Sequence, residues 1–343
     1  MMRSVSIAIG VFAGSVICLG QGSPIAGQWN VGGPILQDRI QLAIRRSAGL
    51  NSHMSSSSAI ALNQLRGLTR AQIDSAGTVA KFELVRDAGT LRFEGFLKGG
   101  GGGGNFTFAP NPKFAGEMRA LGYDGLSDEK IFSMAVHEVN VAYVRDLRAV
   151  EVRPRTTDEL ITLRIHDVTA GYVRAFQDLG YSGLRPDALV TMRIHDVTAE
   201  YVRDMRALDV RPRTTDELVT MRIHNVTTAY VRAFKDMGYS GLTPDALVTM
   251  RIHNVTAEFA RELKAMNYNS VSPDQMVTMQ IHGVSADFMK KVAALGFAHP
   301  SIDQLVGMRI HGVTPDVISK AKSRGLKNVS IDQLVDMRIH GIL

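Results

Sequence analysis

The sequence contains almost no cysteine, and this shortage limits how the protein can be stabilised. Cys18 is the only cysteine in 343 residues, and it lies in an apolar segment close to the N-terminus. Beyond that segment the chain has no disulfide bond, thiol nucleophile or thiolate metal ligand to offer. The folded part of the chain must therefore be stabilised by packing alone.

The C-terminal two thirds of the chain also lack an excess of charge of one sign. The formal net charge is +6, but residues 108–343 hold 29 lysines and arginines against 28 aspartates and glutamates. A nucleic-acid-binding surface needs clustered basic residues on one face. We therefore expect a protein partner and no nucleic acid.

The N-terminal residues have the order of a secretory signal peptide. Arg3 precedes an uncharged apolar stretch from Val5 to Leu19. Small residues follow at Gly20, Gly22 and Ser23. This order predicts a signal peptide over residues 1–22, with a mature N-terminus near Gln21 or Ser23, in an exported protein that is periplasmic or secreted. The alternative is an uncleaved membrane anchor, but the stretch is short for a membrane span, so we expect no stable membrane insertion after cleavage.

Histidine recurs at one fixed interval through most of the chain. It occupies positions 137, 166, 195, 224, 253, 282, 311 and 340, each 29 residues after the last. The segment Met-Arg-Ile-His keeps the same register at 192–195 and 221–224. A period of this length indicates a tandem repeat architecture. The segment RPRTTDEL at 153–160 and again at 211–218 indicates that a block of 58 residues, two repeats, was duplicated.

Each repeat has the pattern of two short helices. A first helix is predicted after Thr198, a favourable N-cap, and its equivalents end at glycines such as Gly180. A second helix is predicted from Pro244-Asp245. Its expected apolar side consists of Leu247, Val248, Met250 and Ile252. Helices of about ten residues are marginal alone, so neighbouring repeats must bury one another's apolar faces. We therefore predict an α-helical solenoid of about eight 29-residue units over residues 110–343.

Residues 25–109 have a different pattern. Apolar and polar residues alternate around 38–45, 81–84 and 91–94, and Asp87-Ala88-Gly89 predicts a hairpin turn between the last two. Another strand is expected at 105–108, with loops at Ser55–Ser58 and at the glycines 99–104. These signals predict a small antiparallel β domain, either a meander or an open barrel. The predicted fold class is therefore α+β, a β domain followed by an all-α repeat solenoid.

No catalytic residue, cofactor site or metal site is expected. The histidines occur once per repeat, and stacked repeats are about 8–10 Å apart, so they cannot share one metal ion without a second type of ligand. His137-Glu138 begins a zinc-protease pattern, but position 141 holds valine where the second histidine is needed. The glycine run lacks the Lys-Ser/Thr of a phosphate-binding loop. We expect the histidines to be structural residues at helix C-termini.

An arginine precedes the histidine by two positions in most repeats. The candidate partner-binding residues are Arg164, Arg193, Arg222 and Arg251. One interpretation is structural, since a cation at a helix C-terminus interacts favourably with the helix dipole and with nearby acids. The functional interpretation is a basic strip along the repeats that binds an acidic partner.

The repeat unit MRIHDVTAEYVRDMRAL at 192–208 resembles units of bacterial exported proteins with 29-residue MRIHGVT-type repeats. It also resembles units in the extracytoplasmic part of some β-lactam-sensing metalloprotease-like membrane regulators. The resemblance covers residues 108–343 and implies a sensor-like or scaffold module, because this chain lacks the protease motif and the membrane helices of those regulators. Our first hypothesis is a non-catalytic exported binding scaffold. The alternatives are an accessory sensor subunit of cell-envelope signalling, and an enzyme whose site lies in the β domain.

Overall fold

The computed structural model describes residues 25–32, 38–47, 53–326 and 328–343. The predicted signal peptide and Cys18 lie outside these residues. The predicted fold class is confirmed, because an antiparallel sheet is followed by a long series of short helices. Within the described ranges, no helix combines the length and the apolar character that a membrane crossing requires.

The N-terminal part forms one seven-stranded antiparallel sheet. Its strands are β1 (Ile25–Val31), β2 (Arg39–Ser47), β3 (His53–Ala61), β4 (Leu65–Arg66), β5 (Thr78–Arg86), β6 (Gly89–Lys98) and β7 (Gly101–Pro110). The strand order is β3-β2-β1-β7-β6-β5-β4, so two meanders are joined where β1 pairs with β7. A short helix α1 (Arg70–Ile73) lies between β4 and β5. The hairpin predicted at Asp87-Ala88-Gly89 is confirmed, with Arg86 paired to Gly89.

Aromatic side chains from alternate strand positions form the core of the sheet. The ring of Trp29 lies edge-on to that of Phe82 at 5.1 Å, and Phe82 stacks on Phe93 at 4.7 Å. All three rings are almost fully buried. Burying large rings on one face is what a half-covered antiparallel sheet needs.

Two segments predicted as loops are wrong, because they are strands. Ser55–Ser58 lies in β3, an edge strand, where the serines are exposed or half-buried and Ser57 accepts a hydrogen bond from Gln41 at 2.7 Å. A polar edge strand is stable because only one side needs a partner. Of the glycine run, only Gly99 and Gly100 form the turn. Gly101 to Gly104 belong to β7, where a Cβ on Gly104 would lie 2.0 Å from the Glu94 carbonyl oxygen, so this close approach of strands requires glycine.

The remaining residues form sixteen helices in a strict alternation. The first helices of the repeats are α2 (Pro112–Ala120), α4 (Val141–Ala149), α6 (Ala170–Gln177), α8 (Ala199–Ala207), α10 (Thr228–Asp236), α12 (Ala257–Ala265), α14 (Ala286–Ala294) and α16 (Pro315–Ser323). The second helices are α3 (Asp128–Val136), α5 (Thr157–Ile165), α7 (Pro186–Ile194), α9 (Thr215–Ile223), α11 (Pro244–Ile252), α13 (Pro273–Ile281), α15 (Ile302–Ile310) and α17 (Ile331–Ile339). Every helix begins 29 residues after its equivalent, which agrees with the predicted period.

The chain divides into two compact units. The first holds the described residues up to Arg145 together with Arg155–Ile161, and the second holds Asp146–Pro154 and Thr162–Leu343. In the first unit, α3 packs on the sheet, and its Phe132 stacks on Phe106 at 5.7 Å. The last strand ends at Pro110, as the sequence predicts, but the first repeat helices still pack as part of the β-containing unit.

In the second unit, each helix packs against its equivalent in the next repeat. First helices contact first helices from α6 to α16, and second helices contact second helices from α7 to α17. The buried residues are the predicted aliphatic ones, such as Val202 and Met205 of α8. Thr198 caps α8 as expected, since its hydroxyl accepts the Tyr201 backbone N–H at 3.1 Å.

Candidate interaction surface

The second helices have three distinct faces. In α11, Leu247, Val248 and Met250 are buried, as the sequence predicts. Ile252 is not buried, and the prediction for this residue is wrong, because 54% of its surface is exposed. Ile252 lies five positions after Leu247, about 140° around the helix, so it points away from the buried stripe. It shares its face with Asp245, seven positions earlier.

The predicted arginine row lies at the junctions between repeats. Arg193 of α7 donates from Nε to the His166 carbonyl at 2.9 Å and from Nη2 to Asp167 at 2.8 Å, both in the preceding repeat. Its guanidinium also lies 4.9 Å from the ring centroid of Tyr172. The side chain is 30% exposed, so the cation is half-buried between two repeats.

The same junction recurs one repeat later. Arg222 donates to the His195 carbonyl at 3.1 Å and to Asp196 at 2.6 Å, and it lies 5.1 Å from the ring of Tyr201. The arginine thus joins the helix C-terminus and the aromatic ring of the preceding repeat.

Arg251 and Arg164 complete the predicted set. Arg251 donates to the His224 carbonyl at 3.1 Å and lies 4.9 Å from the Tyr230 ring. Arg164 is 3.9 Å from Asp167 of its own repeat and is 26% exposed. The four arginines are therefore not brought together as a free basic strip. Binding of a partner by these residues remains a prediction.

Tyrosines of the first helices contribute the other half of these junctions. The hydroxyls of Tyr172, Tyr201 and Tyr230 donate to the carbonyls of Val197, Val226 and Val255 in the next repeat, at 2.7–2.8 Å. Burial raises the pKa of each phenol above its ordinary value, and the neighbouring arginine opposes part of that rise. The phenols therefore stay neutral as hydrogen-bond donors at physiological pH.

A second row of cations follows the 58-residue period. Arg206 donates to the Leu179 carbonyl at 2.8 Å and lies 5.6 Å from the Tyr181 ring. Lys264 makes the same contacts with the Met237 carbonyl and the Tyr239 ring, and Lys322 with the Leu295 carbonyl and the Phe297 ring. The duplicated block seen in the sequence therefore corresponds to a repeated packing contact.

The histidine row is explained mainly by its backbone. Each histidine is the C-cap of a second helix, and the next residue has positive φ, as at Asp196 (53°) and Asn225 (55°). Asp, Asn and Gly tolerate this left-handed conformation best, which explains why they alternate at this position. Among the described residues, His340 is the one ladder histidine whose imidazole makes a hydrogen bond, with the Asp336 carbonyl at 2.9 Å.

Sequence reasoning missed the most regular surface feature of the repeats. The last residue of every second helix from α5 to α17 is an isoleucine that is 54–56% exposed. We call these residues the isoleucine row: Ile165, Ile194, Ile223, Ile252, Ile281, Ile310 and Ile339. The signal was present in the helical spacing, because five residues after a buried leucine is the wrong distance for a buried stripe.

No catalytic arrangement emerges from the described part of the chain. No group of three or more His, Asp or Glu side chains is suitably placed for a metal ion within it. A shallow groove of about 340 Å³ between α14, α15 and α16 is lined by charged groups. Lys291 pairs there with Asp287 at 2.7 Å, and Arg309 donates to the His282 carbonyl at 3.1 Å. The hydrogen bond from Asp287 raises the pKa of Lys291, so this lysine is a charged donor rather than a base.

Comparisons with known proteins gave no match among family models, curated proteins or solved structures. The resemblance of the repeats to exported proteins and sensor-like regulators therefore remains an expectation from the sequence. Function has to be argued from the surfaces of this chain alone.

Proposed function

We propose that this chain is a non-catalytic, exported binding scaffold whose repeats present an extended surface to a protein partner. The observation that carries the proposal is the isoleucine row, one exposed apolar residue at the same place in seven successive repeats. Equivalent positions along stacked repeats are the usual binding surface of repeat proteins. An exposed apolar patch rimmed by polar residues marks protein interaction sites.

The binding part of the proposal is tested by affinity capture. The mature chain, residues 23–343, is immobilised through a C-terminal tag and exposed to envelope extract, and captured proteins are identified by mass spectrometry. The expected result is one or a few proteins captured in stoichiometric amounts. A lysine-rich protein of similar size immobilised in the same way is the control. Recovery of the same proteins on both baits would contradict the proposal.

The export part is tested separately. Protein expressed from the full sequence should be recovered outside the cytoplasm with a mature N-terminus near Gln21 or Ser23, because residues 1–22 have the order of a signal peptide. N-terminal sequencing decides this. An intact Met1 on membrane-bound protein would show that the segment is kept as an anchor.

A further inference from the structure

The isoleucine row is a larger apolar surface than folding requires. An isoleucine that is 54–56% exposed leaves roughly 100 Å² of apolar surface in water, so seven leave about 700 Å². The largest apolar patch on a typical monomer is about 300–600 Å². About 800 Å² per partner is buried in a standard protein–protein interface. The row alone nearly supplies the area that a specific partner needs.

The isoleucines are also kept where neighbouring exposed positions vary. The exposed position three residues earlier is threonine in α9, α11 and α13, but glycine in α15 and aspartate in α17. The position after the histidine changes from Asp to Asn to Gly along the chain. A polar residue would serve the helix equally well at an exposed site. The constancy of isoleucine in seven repeats therefore requires a reason other than the packing of the repeats.

A row of acids runs parallel to the isoleucine row. Each second helix from α7 to α17 has an exposed aspartate in its first turn. We call these residues the aspartate row: Asp187, Asp216, Asp245, Asp274, Asp303 and Asp332. Aspartate and isoleucine are seven residues apart, so they lie on the same helix face, about 10 Å from each other along the axis. Within the described part of the chain, Asp216, Asp245, Asp274 and Asp303 form no ion pair, whereas Arg193 and Arg222 do.

We infer that this face binds a basic, amphipathic polypeptide segment, with its apolar side chains on the isoleucine row and its lysines or arginines on the aspartate row. This inference rests on the proposed binding function and names the chemistry of the partner. Neighbouring second helices are spaced at about 8–10 Å, and apolar residues seven apart on a helix are about 10.5 Å apart. One apolar anchor of a helical partner can therefore meet each repeat.

Charge distinguishes this partner from the other candidates for an exposed apolar face. The aspartates would repel an anionic membrane surface and any nucleic acid. A second copy of this chain would have to place an equally acidic face opposite this one unless the two rows were offset. A basic segment satisfies both rows at once.

The test uses a labelled model peptide and the mature chain. The probe is an amphipathic Leu/Lys helix of about three heptads with its leucines on one face, and the comparison peptide is the same sequence with Glu for Lys. Fluorescence anisotropy should show the Leu/Lys peptide binding about tenfold more tightly than the Leu/Glu peptide. Binding should weaken as salt is raised, because exposed charge contacts are screened.

Variants assign the binding to the two rows. A triple variant Ile223→Ser, Ile252→Ser, Ile281→Ser should weaken Leu/Lys binding about tenfold, with an unchanged circular dichroism spectrum, because these side chains are already in solvent. The matched control is Val79→Ser with Phe96→Ser, which removes exposed apolar residues of the sheet and should change the affinity less than about twofold.

A second triple variant addresses the acids. Asp216→Asn, Asp245→Asn, Asp274→Asn should weaken binding about threefold and flatten its salt dependence. The control removes three exposed acids of the first helices, Asp204→Asn, Asp236→Asn and Glu258→Gln, and should leave the affinity unchanged.

Four results would overturn the inference. They are equal binding of the two peptides, wild-type affinity in the isoleucine triple variant, a dimer in sedimentation that this variant abolishes, and binding to anionic vesicles that this variant abolishes. A native partner captured equally by wild type and the isoleucine variant would also reject the inference while leaving the binding function intact. Failure of the wild type to capture any protein would reject the binding function itself.

Discussion

At the scale of single residues, the chain uses its charged side chains to join repeats rather than to coat them. Arg222 donates to a backbone carbonyl and lies against an aromatic ring of the preceding repeat, 5.1 Å from its centroid. Its partner Asp196 is largely exposed, so the ion pair itself contributes little. The hydrogen bond to the helix C-terminus and the contact with Tyr201 carry the stabilisation.

Substitution of Arg222 should therefore lower stability measurably. We expect Arg222→Ala to reduce the free energy of unfolding by about 1–3 kcal/mol, because it leaves a helix C-terminal carbonyl without its charged donor and removes a cation–π contact. The measurement is the urea midpoint of the mature chain. Arg232→Ala, on an exposed face of α10, should change it by less than about 0.5 kcal/mol. Equal losses in both variants would show that the junction contacts are not specific.

The buried phenols make a prediction about alkaline pH. Tyr172, Tyr201 and Tyr230 have pKa values raised above the ordinary 10.0 in the folded protein. Stability gained from the neutral phenols is fully present below pH 10 and is lost as the pH rises above it. Tyr201→Phe should be less stable than wild type at neutral pH, because the Val226 carbonyl loses its donor. That difference should narrow above pH 10 in urea unfolding; a constant difference from pH 8 to pH 11 would refute this assignment.

At the scale of elements, each helix is short and depends on its ends. The second helices are nine residues long, too short to be stable alone in water. In α9 the hydroxyl of Thr214 accepts the Glu217 backbone N–H at 3.1 Å, and Asn225 beyond the C-cap has φ of 55°. Caps of this kind set where each helix begins and ends.

Removal of one N-cap should cost about as much as it does in other proteins. We expect Thr214→Ala to lower the free energy of unfolding by about 1 kcal/mol. Thr220→Ala is the matched control, since Thr220 is an exposed interior position of the same helix and alanine favours helix there by up to about 0.5 kcal/mol. Thermal unfolding followed by circular dichroism compares the two. A loss of the same size in the control would mean that the hydroxyl of Thr214 is not acting as a cap.

The sequence predicted the repeat elements well because period, caps and apolar stripes all indicate the same helices. It misplaced Ile252 because an apolar residue was assumed to be buried, whereas its angle around the helix puts it in solvent. It misassigned Gly101–Gly104 because glycine runs favour loops, and only the paired strand Gly89–Lys98 reveals why glycine is needed. The arginine contacts were hidden for a similar reason, since their acceptors are carbonyls of the preceding repeat, which no local pattern identifies.

At the scale of the whole molecule, both stability and binding should be distributed over many repeats. Each helix of the second unit contacts its equivalent in the next repeat, so the repeats form a series of similar junctions. Stability of such an array is approximately a sum over repeats and junctions. A surface made from one residue per repeat should likewise gain or lose affinity in steps as repeats are added or removed.

Deletion of one duplicated block tests this distribution directly. Removing residues 204–261 joins Arg203 to Glu262 and fuses α8 to the end of α12 in register, because the block has the length of the 58-residue period. Lys264 would then take the place of Arg206 opposite Tyr181, while Gln280 would replace Arg222 opposite Tyr201. We therefore expect a folded helical protein of lower stability, because one cation junction is lost.

The same deletion shortens the isoleucine row. Ile223 and Ile252 are removed and five of the seven isoleucines remain. Affinity for the Leu/Lys peptide should fall by an amount between that of wild type and that of the isoleucine triple variant, as anisotropy would show. A folded deletion variant with wild-type affinity would mean that the remaining repeats, or the sheet formed by β1–β7, contain the whole site. In that case the distributed surface would be wrong, and the β domain would become the better candidate for partner binding.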